Sequence, residues 1–562
     1  MTAKNIRALL ATDPELGAGN VLMKLLAHGA DPDGPGITFD VEVDGHPAYA
    51  PLTLGKLHER VAARAAWLHE RGVKPRDAVA VYATSAADCF LNFMALNWLG
   101  AIPALMNPNI PGEVAAEFIR RLRSIGVLTD AAHRQRLAGH DDGVEYLGDL
   151  AEVGGGDPAR APEHYRHHAD DPIAITHSSG TTRMPAAVVH SHSSLFAATR
   201  RIRLSVPRAQ GTDRVLSALP APHTAGILTV NQALCNRSEL LFLSTQNDGA
   251  TVIDAIERWR PTGVFGFAVT WAELARFDLA KRDLSSVAIW FNTGDCAHEA
   301  HIRPLVAVGS HEIATRDGKI RVPGSTFVDG IGSTEMGHSA FHISHRTDTN
   351  RYGRCVGKPH VFAEIALLDL DTGQEVPVGE VGHCALKSPT LALGYWNDSV
   401  TTYKYRFQGY YLTGDLMYRD ADGYYYHMDR AVDAVDLGGG NWLYTAMSEE
   451  RVLARCPDIR DCTIVAVRAD GEVVTDILLT LTAEADPEID RTELVRAALD
   501  GPVAATVRRV IAVPDNEIIV GPTGKVRKFL MRQRHLASLG AVSTRSEAKR
   551  STAVANERPA QP

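Results

Sequence analysis

The sequence predicts an α/β protein of at least two domains, and three observations lead there. At 562 residues the chain is several times the usual domain of roughly 100–200 residues. Hydrophobic residues make up 45% and charged ones 22%, the proportions of a packed globular protein. From about residue 55 onward, segments with helical apolar periodicity alternate with short apolar strands, a pattern that builds largely parallel sheets covered by helices.

In chain order, residues 57–71 are helical in period, 78–83 form a strand and 87–99 are helical again. The most apolar stretch, 91–106, contains Asn92, Asn97, Gly100 and Pro103 and falls short of the roughly 18–20 residues that cross a bilayer, so it predicts a buried helix followed by a strand. Further strands are expected at 172–175, 240–243 and 263–267. After about residue 350, short runs at 363–368 and 424–428 are separated by the turn signals Asp371, Thr372, Gly373 and Asp420 to Gly423, which predicts hairpins and a β-rich subdomain. The stretch 429–440 is rich in Gly and Asp, and an independent pattern follows it: a helix near 448–455 and strands at 462–467 and 475–482. These signals divide the chain into an N-terminal domain over 1–429, a C-terminal domain over 430–540 and a tail, 541–562, whose lack of large apolar side chains predicts disorder.

A formal net charge of -9 gives no bulk basic field for nucleic acid, and with no membrane span expected the partners are small molecules. The 7 cysteines are scattered, with no CxxC pair, which fits neither a disulfide framework nor a zinc finger. With an N-terminus lacking the continuous apolar stretch of a signal peptide, they are expected to be reduced in the cytoplasm.

Four segments carry chemistry. Directly after the apolar run 173–175 come Ser178, Ser179, Gly180, Thr181, Thr182 and Arg183, where small hydroxyl residues around a glycine let backbone N–H groups and hydroxyls converge on phosphate oxygens. Taken alone, such a loop is as readily a solvated turn. Gly332, Ser333, Thr334 and Glu335 form a second turn, Thr413, Gly414 and Asp415 a third, and Gly524 and Lys525 a fourth. Their charged residues suit a nucleotide: Glu335 for Mg²⁺, Asp415 for ribose hydroxyls and Lys525 for charge on a transferring phosphoryl group.

The order and spacing of these segments resemble the adenylate-forming superfamily of acyl-CoA ligases, luciferases and adenylation domains, over about residues 50–535. Pro220, His223 and Gly226 resemble its Pro-x-x-His-x-x-Gly element, whose histidine borders the acid pocket. Asn292, Thr293, Gly294 and Asp295 resemble the element that closes over adenine. Gly379, Gly394 and Tyr395 resemble the segment before the ribose aspartate, and Asp429 and Arg430 the start of the hinge. The resemblance implies a large N-terminal domain of two αβ sheets plus a β-barrel, and a small mobile α+β lid with Asp433 as hinge residue. It further implies ATP as cosubstrate, Lys525, Glu335, Thr334 and His223 in catalysis, and an acid, carboxylate or nitrite, transferred to a thiol such as CoA or to an amine. The acid pocket is expected among His223, Phe267, Thr270, Asn292 and 336–338, with Trp271 and Phe277 either at an aromatic substrate or in the core.

The sequence also departs from that family. Its loop lysine is replaced by Ala186 while the cation Arg183 stands at a glycine position, an aromatic residue is replaced by Ile331, and Asp436 occupies a position where the second half-reaction commonly has a lysine. These departures bear more on CoA chemistry than on adenylation and are compatible with the superfamily's ATP-dependent diazotase branch, which activates nitrite for an aryl amine. A non-catalytic nucleotide-binding descendant is the remaining alternative. Val526 after Lys525 and Ile519 at the first glycine position exclude a P-loop NTPase, and no Gly-x-Ser-x-Gly elbow is present for a serine hydrolase. His298, His301, His190 and His192 lack zinc-protease spacing and are expected at the surface or capping helices.

Overall fold

Helix Ala86–Trp98 shows how the large unit is assembled. Ser85 caps it by accepting from the backbone N–H groups of Ala87 and Asp88, and apolar residues then occur on every face. A helix apolar all round must be covered all round. It lies between sheets, with Phe90 edge-on to Phe242 of strand Glu239–Phe242 at 4.7 Å. The computed structural model describes residues 3–178, 184–206, 211–245, 248–316, 318–469, 471–521 and 524–538; the tail expected at 541–562 lies outside them.

On one side is a seven-stranded sheet with Ile102–Met106, Ala78–Tyr82 and Gly126–Thr129 at its centre, joined by Pro172–His177, which pairs with the antiparallel Ala187–Ser191, and the short Gly394–Tyr395 forms the edge beyond it. The apolar stretch 91–106 accordingly resolves into a buried helix and the buried strand Ile102–Met106. Among the described residues no helix is long and apolar enough to cross a membrane.

On the other side is a fourteen-stranded sheet. Its parallel part holds Gly263–Phe267, Ile289–Thr293 and Thr326–Asp329 in adjacent positions. The hairpins expected after residue 350 are present, but no closed barrel forms among the described residues. Phe341–His345 pairs with Thr326–Asp329 on one edge and Cys355–Pro359 on the other, so the antiparallel strands lengthen the parallel sheet, which ends at Glu364–Leu368 and Pro51–Thr53. A barrel would have to close on an edge that is already paired.

After strand Tyr425–Arg430, a separate three-stranded sheet (Ile459–Ala469, Glu472–Leu481, Val507–Ala512) packs with helix Thr445–Arg455 around its own apolar cluster, including Leu443, Val452, Ile464 and Ile477. At the joint, the Asp429 carboxylate accepts from the Thr445 N–H and hydroxyl, and Lys528 donates to the same hydroxyl at 2.6 Å.

The core beneath the parallel strands is aromatic. Phe327 is fully buried and meets Trp271 edge-on at 5.6 Å. Phe327→Ala is expected to destabilise the large unit by about 3–5 kcal/mol through lost burial and the cavity left behind, measured as a lowered urea midpoint.

Candidate active site

The parallel strands place the candidate residues. Pro172–His177, Gly263–Phe267, Ile289–Thr293 and Thr326–Asp329 all deliver their carboxyl ends to one crevice, where open α/β sheets receive ligands. Ser178 follows the first and donates its N–H to the Ala186 carbonyl at 3.1 Å. The rest of the expected phosphate loop, Ser179, Gly180, Thr181, Thr182 and Arg183, lies outside the described residues.

His223 begins helix Thr224–Asn236, and its Nδ1 accepts from the Ala225 N–H at 3.1 Å. That bond leaves the proton on Nε2, which donates to the Thr334 hydroxyl at 3.4 Å; Thr334 is itself 3.5 Å from the His177 carbonyl oxygen. Burial, and then the nearby Lys525 ammonium, push the His223 pKa down to about 3, so it is a neutral donor at physiological pH. The Phe267 ring stands edge-on to it at 5.0 Å.

Gly294 follows strand Ile289–Thr293 at φ +89, a left-handed conformation in which a Cβ would also come within 3.2 Å of the Phe267 ring. Next to it, Asp295 pairs with Arg354 at 3.3 Å. Protein surrounds Asp295 on most sides, yet 43% of its side chain is exposed, so it opens onto a cleft. Burial works against its charge, but Lys525 and Arg354 outweigh that and hold the carboxyl below the usual range. Beneath, Asn292 donates to Asp329 at 2.6 Å and accepts from the Trp271 indole at 2.8 Å. Asn292, Thr270 and Met336 are therefore core residues rather than pocket lining, as are Trp271 and Ile331. A side chain already paired or buried under a sheet has no surface left for a ligand.

Gly332 lies against the Ser339 backbone, the Ser333 hydroxyl accepts from the Met336 N–H at 3.3 Å, and Glu335 accepts through Oε1 from the Tyr395 hydroxyl at 3.0 Å. A single oriented carboxylate is the kind of oxygen ligand that holds Mg²⁺ together with phosphate oxygens. Asp415 is buried, with Oδ1 3.0 Å from Arg430 and 3.4 Å from His427. Burial raises its pKa, but Arg430 and His427 prevail and hold it at about 2, leaving an ionised acceptor. Arg430 is 48% exposed and lies on the cleft.

The remaining wall comes from the C-terminal unit. Lys525 directs its ammonium at the Gly294 carbonyl, 3.5 Å away, and so joins Asp295 and His223. Docking is secured by His298, whose Nδ1 donates to Glu450 at 2.6 Å, and by His301, whose Nε2 donates to the Arg460 carbonyl at 3.0 Å. Asp433 pairs with Arg532 at 2.7 Å. His301, His190 and His192 are buried, against the expectation of surface positions; only His298 occupies a helix cap, and it too is covered by the other unit. Sequence reasoning missed Arg354 and His427, which are 2.7 Å apart. They meet only because Cys355–Pro359 pairs with Tyr425–Arg430. Tyr395, by contrast, was part of a recognised motif, and only its bond to Glu335 was new.

Residues 37–396 match the family described as AMP-binding enzyme. The chain is 43% identical, over 96% of its length and 99% of the relative's, to a 3-aminoavenalumate diazotase of Streptomyces sp. It is 26% identical, over 85% of its length and 89% of the relative's, to a 3-amino-2-hydroxy-4-methoxybenzoate diazotase of Streptomyces cremeus. In fold it is similar to an anthranilate CoA ligase solved with anthranoyl-AMP, at TM-score 0.79 and 21% identity, covering 95% of this chain and 99% of that one.

The interface histidine makes docking depend on pH. Burial works against the charge of His298, but Glu450 outweighs it and lifts the pKa above the usual value of 6.5, while Arg354 opposes and Asp461 assists. A raised pKa gives stabilisation that is fully present below 6.5 and is lost as pH rises through the docked value. Protection of helix Glu299–Ala307 from hydrogen exchange is expected to fall across that rise in the native protein and to stay flat in His298→Gln.

Proposed function

We propose, on the premise that this chain belongs to the AMP-binding enzyme family, that it is an ATP-dependent diazotase whose acid is nitrite and whose acceptor is an aryl amine. The observation that carries this reading is the 43% identity to a diazotase along 96% of the chain, a likeness that runs through both units.

In the first half-reaction a nitrite oxygen attacks the α-phosphorus of ATP; the new O–P bond forms as the bond to pyrophosphate breaks. Glu335, its carboxylate oriented by Tyr395, would hold Mg²⁺, which would supply positive charge against the phosphates. Lys525 supplies a fixed positive charge beside Gly294 and Asp295, and its role is electrostatic. His223 stays neutral, with Thr334 beside it, and presents an N–H donor without drawing the anion into an ion pair. Asp415, kept ionised by Arg430, offers its carboxylate to the ribose hydroxyls. The loop from Ser179 to Arg183 is proposed to cradle the phosphates, with Arg183 in place of the absent lysine.

In the second half-reaction the amine lone pair attacks the nitroso nitrogen, AMP leaves and the amine loses a proton. The N-nitroso amine then shifts its remaining N–H proton to oxygen, takes up a proton and loses water to give the aryl diazonium ion. The C-terminal unit is proposed to swing as a lid between the steps, about a hinge at Asp433. Asp436 is exposed and its carboxylate accepts from the Gly438 N–H at 2.7 Å. An acid there repels the phosphates and thiolate of CoA but not a neutral amine, which supports an amine acceptor.

Two outcomes test the reading. Nitrite is expected to drive ATP–pyrophosphate exchange, and nitrite with an aryl amine to release AMP and consume the amine; thioester formation from carboxylates and CoA without nitrite-dependent exchange would replace it with the acyl-CoA ligase reading, and no exchange with any acid would leave a non-catalytic nucleotide binder. Lys525→Ala is expected to lose roughly 100-fold or more of the exchange rate with an unchanged melting temperature.

A further inference from the structure

Arg203 lies on the five-residue π-helical turn Arg200–Leu204 that follows helix Ser194–Thr199. The wider turn re-aims its residues relative to an α-helix, a device common where a side chain must point into a site. Its Nε donates to the Gln232 side chain at 3.2 Å, and its guanidinium sits over the Phe291 ring, 5.8 Å from the centroid. Phe291 packs on Phe265 at 4.4 Å, and His338 and His360 complete the surroundings, 5.6 Å apart. Protein encloses Arg203 on most sides, yet it, Phe265, Phe291 and His338 are only half-buried, so they line a crevice.

Among the described residues no carboxylate lies within ion-pair reach of this guanidinium, and residues 207–210, just beyond it in sequence, contain none. The neighbouring histidines do not compensate: His338 Nδ1 is bonded to the Ser339 carbonyl, and burial holds His338 and His360 uncharged, at about 4 and about 3. Arginine does not lose its proton to escape. A largely desolvated cation without a counter-charge is costly, and a ligand anion removes that cost.

Position tells which anion. Gln232 lies nine residues beyond His223 on helix Thr224–Asn236, about 13 Å along its axis, and long helical side chains lean back toward the N-terminus, which shortens the span to about 10 Å. That is too far for nitrite at the α-phosphorus, but it suits the remote end of an elongated acceptor. The wall between the two points is aromatic, with Phe265, Phe291 and Phe267, as an aryl group requires.

We propose that Arg203 binds the carboxylate of an amino-aryl acid with its amine directed toward Lys525, and so selects acceptors that carry a remote carboxylate. This rests on the diazotase reading above and names the substrate class of the same site. A guanidinium pairs with a carboxylate through two parallel hydrogen bonds, which orients the ring as well as holding it.

The experiment uses the full chain with ATP, Mg²⁺ and nitrite, an aminophenyl propenoate and its methyl ester as acceptors, and the variants Arg203→Gln and Arg203→Lys. The unmodified enzyme is expected to show a KM about 10- to 100-fold lower for the acid than for the ester; Arg203→Gln is expected to lose that preference and Arg203→Lys to retain part of it. Nitrite-dependent pyrophosphate exchange, which needs no amine, is expected to be unchanged in both. Equal KM values for acid and ester in the unmodified enzyme overturn the proposal whether or not the variants fold, as does a raised KM for nitrite in Arg203→Gln. Absence of nitrite-dependent exchange in the unmodified enzyme overturns the diazotase reading itself and the proposal with it.

Discussion

The ammonium of Lys525, held 3.5 Å from the Gly294 carbonyl, is the contact on which the remainder of the site depends. Of the catalytic candidates Lys525, Glu335, Thr334 and His223, it is the one that the C-terminal unit contributes, and Coulomb energy in a partly desolvated cleft falls steeply once a charge is withdrawn. Its position is not set locally. Glu450 on His298 and Arg460 on His301 together seat the unit that carries it.

The charges on the large unit are arranged around that arrival. Asp295 and Asp415 stay ionised because Arg354 and Arg430 stand beside them, while His223 stays neutral because burial and Lys525 disfavour a second positive charge. Anions therefore meet localised cations and neutral N–H donors. In Arg203 the same logic leaves a cation with no carboxylate partner among the described residues, at the end of the crevice remote from Lys525.

The sheets explain why these groups converge. Parallel strands share a direction, so the residues just past their carboxyl ends cluster whatever their separation in sequence, and Ser178, Phe267, Gly294 and the turn after Asp329 come together in this way. The antiparallel extension then brings Asp415 and Arg430 alongside by pairing Tyr410–Arg419 with Tyr425–Arg430. A sheet that had closed on itself into a barrel would not have needed the strand Phe341–His345, paired on both sides, to join the two parts.

Local pattern alone determined the alternation of helices and strands, the buried run 91–106, the hairpins after residue 350 and the turns that carry Glu335, Asp415 and Lys525, because periodicity, turn chemistry and small-residue loops are properties of neighbours in sequence. Tertiary structure alone decided which candidates turn inward. Asn292, Thr270 and Ile331 sit in or beside recognisable motifs, yet strand register and helix packing bury them, while Arg203, Arg354 and His427, in no motif, are carried to the cleft or its supports. The same holds for the interface histidines: their spacing excluded a zinc-protease motif, but their burial depends on an opposing unit more than a hundred residues away in sequence. The physical reason is that a side chain's environment is set by whatever the fold brings opposite it, and that partner is not encoded at any fixed distance along the chain.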